Sequence, residues 1–243
     1  MIKVLDDILK PMAEIKQIFF IFAFYLFAQL PAIAVWQSTF FPEKVKILLA
    51  VALTGLLMIL VGEDYRRKLS LNLTDLGLRF PSLAELKKYS AMILGCSAAG
   101  LAWFAIYFAI FHILFPSAYA ELMKDSVGIL SSLAEWQKNS PVTGLFALSA
   151  SLLLLAAAEE YLFRGVIYKY LLRSMSWQKA MFWSSACFAL FHLKLTGIPI
   201  YLVGGTLYCW LYRRTGSLFT PVLAHFLYNF GLVMFGEHLV FGT

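Results

Sequence analysis

Long apolar runs separated by shorter polar connections set the pattern of this chain. Seven runs, approximately residues 17–41, 45–62, 90–115, 143–172, 177–195, 198–212 and 217–236, reach or approach the length that carries a helix across a bilayer, which takes about 20 residues. They predict an all-α, multi-pass transmembrane bundle of about seven spans, with a single membrane domain over 1–243 and a four-span core over 143–236. The fifth and sixth runs are joined by "KLTGIP", where Gly197 and Pro199 act as breakers. The longest polar connections are 63–89 and 116–142; the second contains "AELMKDSVGILSSLAEW", which reads as an interfacial amphipathic helix. The opening segment 1–16, "MIKVLDDILKPMAEIK", carries Asp6, Asp7 and Glu14 and no cleavable-signal pattern. It reads as an amphipathic segment lying on the membrane surface.

Composition strengthens this picture. Hydrophobic residues make up 61% of the chain and charged residues 14%, against about 25% charged in an ordinary soluble domain. The mean hydropathy is +0.76. The net charge of +6 would suggest nucleic acid in a soluble protein, but the basic residues are distributed by side. The 63–89 connection alone holds Arg66, Arg67, Lys68, Arg79, Lys87 and Lys88, while Lys44, Lys46, Lys124, Lys138 and Lys194 are the basic residues of the opposite side. The positive-inside rule therefore predicts a cytoplasmic N-terminus in a cell membrane and removes any need for a nucleic-acid partner. Cys96, Cys187 and Cys209 lie in apolar runs without metal-type spacing and read as packing residues.

Against this background the polar residues inside the spans stand out. The fourth run, "LLLLAAAEEYLFRGVIYKYLL", carries Glu159, Glu160 and Arg164; the fifth carries Phe188 and His192; the seventh carries His225 and Asn229. A charge at the centre of a bilayer costs at least about 2.5–3.5 kcal/mol, so such groups pair with one another or do chemistry. Arg164 follows Glu160 by four residues, the favourable order for an ion pair. Glu159 is rotated by about 100° from Glu160 and points elsewhere. His225 and Asn229, also four apart, project toward one place. With a rise of about 1.5 Å per residue, Glu159, His192, His225 and Asn229 fall between roughly 12 and 22 Å from the cytoplasmic ends of their spans, at a similar level.

A carboxylate and an imidazole can together hold and deprotonate a water. A second imidazole and an amide can donate to the oxyanion formed when that water attacks a carbonyl. The same groups without the Asn could instead ligate zinc, as Glu159, His192 and His225, although HExxH is missing and the donors come from three spans. No cofactor is called for otherwise. His112 and His238 read as interfacial or core residues. Gly204 and Gly205 read as close-packing positions, Arg213–Arg214 as a topology anchor, and Trp210 and Tyr212 as interface aromatics.

EExxxR (Glu159, Glu160, Arg164), FxxxH (Phe188, His192) and HxxxN (His225, Asn229), in this order on successive hydrophobic segments, resemble the motifs of the CPBP family of CAAX proteases and bacteriocin-processing or immunity (Abi) proteins. "WLYRRTGSLFTPVLAHFLYN" and "TDLGLRFPS" add to the resemblance. It implies an all-helical intramembrane peptidase acting on a membrane-embedded or lipidated peptide. It implies that Glu159 and His192 activate the water and that His225 and Asn229 form the oxyanion site, with Glu160, Arg164 and Phe188 supporting them. A glutamate-type mechanism is preferred here to a zinc-dependent one. The rival readings are a non-catalytic immunity or scaffold protein and a small proton-coupled transporter in which Glu159 relays protons.

Overall fold

The computed structural model describes residues 17, 20–21, 23–27, 29–119 and 135–241, with the side chains of 236–241 excepted. The interfacial reading of 1–16, most of the predicted amphipathic helix in 116–142, and the His238 side chain lie outside the described residues. Among the described residues the chain is all helix, without a strand. The elements are α1 (Leu30–Gln37), α2 (Glu43–Lys68), α3 (Leu83–Leu114), α4 (Pro141–Glu160, continued through Leu171), α5 (Trp177–Phe191), α6 (Ile198–Thr215) and α7 (Phe219–Phe241).

Four helical stretches are long and apolar enough to cross a membrane: Glu43–Lys68, Leu83–Leu114, Pro141–Leu171 and Leu195–Thr215. Ala23–Gln37 and Phe219–Phe235 are shorter apolar helices. The expected fifth span is shorter than its apolar run, because α5 has 15 residues and stops at Phe191. At about 1.5 Å per residue that is roughly 22 Å, short of a hydrocarbon core of about 30 Å. Leu193, a non-glycine residue with φ +51°, turns the chain immediately afterwards. A single turn of 3₁₀ helix, Leu195–Gly197, then leads into α6, and Pro199 stands in the first turn of that helix, where its missing N–H costs nothing.

The hairpin formed by α5 and α6 is tied to α3. The Trp103 indole donates to the Pro199 carbonyl at 3.1 Å, and the Tyr107 hydroxyl donates to the Thr196 carbonyl. Higher up α3, Ser97 donates to the Ala224 carbonyl of α7 at 2.9 Å. In lipid the hydrophobic effect does not press helices together, so such hydrogen bonds and close packing carry the association. Gly205 serves that packing: a Cβ there would lie 3.0 Å from the Ser185 Cβ and 3.1 Å from its Cα. Gly204 has no comparably tight neighbour.

The connection after α2 is a built structure. Thr74–Leu76 forms a 3₁₀ turn closed by Gly77, and Ser82 opens α3 with a capping box to Glu85. Gly77 meets the corner between α6 and α7: Leu218 N–H donates to its carbonyl at 3.1 Å, and Tyr212 donates to the Leu76 carbonyl at 3.0 Å. Tyr212 is therefore a buried cross-link, 2% exposed, and not the interface aromatic its position suggested. Arg213 and Arg214 lie over the rings of Trp177 and Trp210.

Gly77 has φ +66°, and a Cβ on it would come 2.1 Å from the Gly216 carbonyl oxygen. Gly77→Ala is expected to destabilise the protein by about 1–3 kcal/mol, from backbone strain and overpacking combined. Thermal unfolding in detergent measures this. Gly95→Ala, in open space, should leave the transition unchanged or raise it slightly.

Candidate active site

The site is organised where α4 changes its winding. From Tyr161 to Tyr168 the helix widens into a π-helical segment, with Leu162, Phe163, Arg164, Gly165, Val166 and Ile167 all buried. π-Turns are uncommon and cluster at functional positions. Two neighbours support the wide turn. Ser184 of α5, itself fully buried, donates to the Phe163 carbonyl at 2.9 Å. Tyr161 donates to Glu63 of α2 at 2.9 Å, and Glu63 is held in turn by Arg66 and Arg67.

Arg164 and Glu160 are both fully buried, and Arg164 is the largest side chain with no exposure. The predicted i,i+4 pair is present, with Arg164 Nη1 3.0 Å from Glu160 Oε1. The second nitrogen, Nη2, donates to the Gly205 carbonyl of α6 at 3.0 Å. The guanidinium also lies 4.6 Å above the Phe188 ring and 5.4 Å from the Tyr208 ring. Removing an ion this size from water costs several kcal/mol even after relaxation. The ion pair, the carbonyl and the aromatic faces together offset that cost.

Glu160 Oε1 has a second partner that sequence spacing did not assign: Nδ1 of His225 in α7, at 2.9 Å. The other ring nitrogen of His225, Nε2, lies 3.7 Å from Glu159 Oε2. Glu159 and Glu160 do diverge along α4, as their 100° offset requires, but the His225 ring reaches both. One imidazole is thus flanked by two consecutive carboxylates. Glu159 Oε2 is buried and has no hydrogen-bond partner among the described residues, and the Glu159 side chain as a whole is 20% exposed. Both faces of the arrangement are aromatic. Tyr208 stacks on His225 with centroids 4.6 Å apart, and Phe188 presents its edge at 5.8 Å.

His192 forms the other side of the site. It caps the C-terminus of α5, and its Nδ1 bonds the Phe188 carbonyl at 2.8 Å. Phe188 therefore touches both imidazoles, lying 4.8 Å from His192 by centroid. His192 is within electrostatic range of Glu159, Arg164 and His225. Asn229 lies one turn beyond His225 in α7 and is half-buried; no side-chain hydrogen bond joins it to another described residue.

Elementary bonding rules fix the proton positions. A carbonyl only accepts, so Nδ1 of His192 carries a hydrogen, and Nε2 is the nitrogen a neutral ring leaves bare. The Glu160 carboxylate, paired with Arg164, also accepts, so Nδ1 of His225 donates to it. Sequence reasoning missed Tyr201 and Tyr208 and read Gly205 only as a packing position; the three line one face of α6 at i, i+4 and i+7, and the spacing in "YLVGGTLY" was the available signal. For zinc the fit is incomplete. Glu159 and His225 approach each other, but among the described residues no three His, Cys, Asp or Glu side chains converge into a metal-holding group.

The structure thus gathers Glu159, Glu160 and Arg164 of α4 with His225 of α7 into one buried cluster. Over residues 141–231, less than half of the chain, the sequence is similar to the family described as type II CAAX prenyl endopeptidase Rce1-like. That span begins with α4, ends in α7 and contains all seven motif residues. No curated protein and no solved structure matches the chain.

Truncation separates the two carboxylates by their partners. Arg164→Ala strands Glu160 in a buried setting and is expected to cost about 3–5 kcal/mol. Glu159→Gln, which breaks no hydrogen bond of the described structure, is expected to change stability by less than about 0.5 kcal/mol. Unfolding of the two purified variants beside the wild type gives both values.

Proposed function

We propose that the protein is an endopeptidase of the cell membrane, crossing it several times with its N-terminus in the cytoplasm. It hydrolyses a peptide bond of a membrane-embedded or lipidated substrate. The observation that carries this reading is the Glu159 carboxylate oxygen, buried with no hydrogen-bond partner among the described residues and 3.7 Å from His225 Nε2. A buried acceptor with no partner costs about 1–3 kcal/mol, and it makes chemical sense in a site that binds and deprotonates a water.

In this reading Glu159 and the bare Nε2 of His192 share the water and accept its proton as its oxygen bonds to the scissile carbonyl carbon. The carbonyl oxygen becomes an oxyanion facing His225 and Asn229. His225 already commits its Nδ1 hydrogen to Glu160, so donation from Nε2 as well requires both ring nitrogens to be protonated. When the intermediate collapses, the C–N bond breaks and the proton taken from water passes to the leaving amine.

Glu159→Ala and His192→Ala are each expected to abolish cleavage of a membrane-embedded peptide in vesicles, with insertion and unfolding temperature retained. Cleavage that persists in both variants contradicts the enzyme reading and favours a binding or immunity protein. Activity is expected to survive a chelator; a loss restored by zinc would instead assign Glu159, His192 and His225 as ligands.

A further inference from the structure

We propose that Tyr201 is a positioning residue that holds the His192 ring in its working orientation by stacking. The proposal rests on the reading of His192 as a base and goes beyond its three motifs.

His192 stands at a structural break. The helix that carries it ends one residue earlier, and Leu193 turns away in the left-handed region. No further turn of α5 restrains the side chain. Two of its contacts come from Phe188 of its own helix: the carbonyl bonded to Nδ1 and the ring set edge-on. The contact from outside that helix is Tyr201 of α6, whose ring lies nearly parallel to the imidazole, with an interplanar angle of 18° and centroids 3.7 Å apart. This is the shortest centroid separation among the described aromatic pairs. A face-on partner from another helix adds a second restraint on the ring to the single in-plane hydrogen bond to Phe188.

Tyr201 is itself fixed. A Cβ on Gly197 would come 2.4 Å from Tyr201 Cε2, so the ring lies close against the glycine at the start of α6. The turn carrying Gly197 is anchored to α3 through Thr196 and Pro199. Tyr201 is also within electrostatic range of Glu159. A chain of contacts from α3 through the hairpin turn and Tyr201 therefore sets where Nε2 of His192 points relative to Glu159. Stacked aromatic pairs are favoured by their quadrupoles as well as by area, and removing the ring frees the imidazole.

The test compares Tyr201→Leu with Tyr201→Phe in the full-length protein. Misplacement of a reacting group by about 1 Å costs on the order of 100-fold. Tyr201→Leu is therefore expected to lower kcat by about 10–100-fold with KM little changed. Tyr201→Phe, which keeps the ring, should restore kcat to near the wild-type value. Wild-type kcat in the Leu variant, or equal impairment of the Phe variant, overturns the proposal; the second result would assign the role to the hydroxyl. A readout independent of catalysis is the NMR signal of the labelled His192 ring, identified by its loss in His192→Ala. The stack shifts its ring protons upfield in the wild type and in Tyr201→Phe, and the shift disappears in Tyr201→Leu. An unchanged signal in the Leu variant refutes the stack. A wild-type protein that cleaves nothing, yet shows the upfield signal, refutes only the enzyme reading.

Discussion

A guanidinium with no exposed surface needs compensation from its neighbours, and the organisation of this molecule follows from how Arg164 obtains it. It draws on Glu160 from its own helix, the Gly205 carbonyl of α6, and the faces of Phe188 and Tyr208 from α5 and α6. Glu160 then passes the constraint to α7 by accepting from His225 through the same oxygen. Four helices are thereby fixed around one side chain. Each of these contacts is costly to break, since loss of one partner leaves a bare charge in a low-dielectric interior.

The wide turn of α4 is part of the same design. A π segment displaces backbone carbonyls from the ordinary ladder, and Ser184 satisfies one of them from α5. It also sets Glu159 and Glu160 where a single imidazole can lie between them. The α5–α6 hairpin supplies the opposite wall, with His192 at its tip and α3 holding the turn. The loop after α2 and the α6–α7 corner lock together at Gly77 and Gly216 on the cytoplasmic side of the proposed topology. These are the stretches "TDLGLRFPS" and "WLYRRTGSLFTPVLAHFLYN", so two segments that added to the resemblance separately turn out to be partners.

Much of this was legible in the sequence. Apolar runs located the helices, and the four-residue spacing of Glu160 and Arg164 identified their pair. The 100° offset rule correctly separated Glu159 from that pair along α4. It could not show that His225 bridges the two, because which nitrogen of a ring meets which carboxylate is decided by contacts between helices. The early end of α5 was hidden for a related reason: Leu193 and Leu195 keep apolar residues past the point where Leu193 turns the chain. Tyr212 looked like an interface aromatic because hydropathy does not distinguish a ring that faces lipid from one bonded to a neighbouring loop. Tyr201 and Tyr208 carried a readable helical spacing, but their importance depends on the histidines they face.

The central claim is that Glu159, His192 and His225 surround the point where a carbonyl is attacked. A structure of the protein in a lipid nanodisc with a peptidyl phosphinate, which mimics the tetrahedral intermediate, tests it directly. The account predicts one phosphinyl oxygen within hydrogen-bond distance of Glu159 and the other facing His225 and Asn229. A phosphinate bound elsewhere, or a Glu159 carboxylate turned toward lipid with the inhibitor in place, would contradict it.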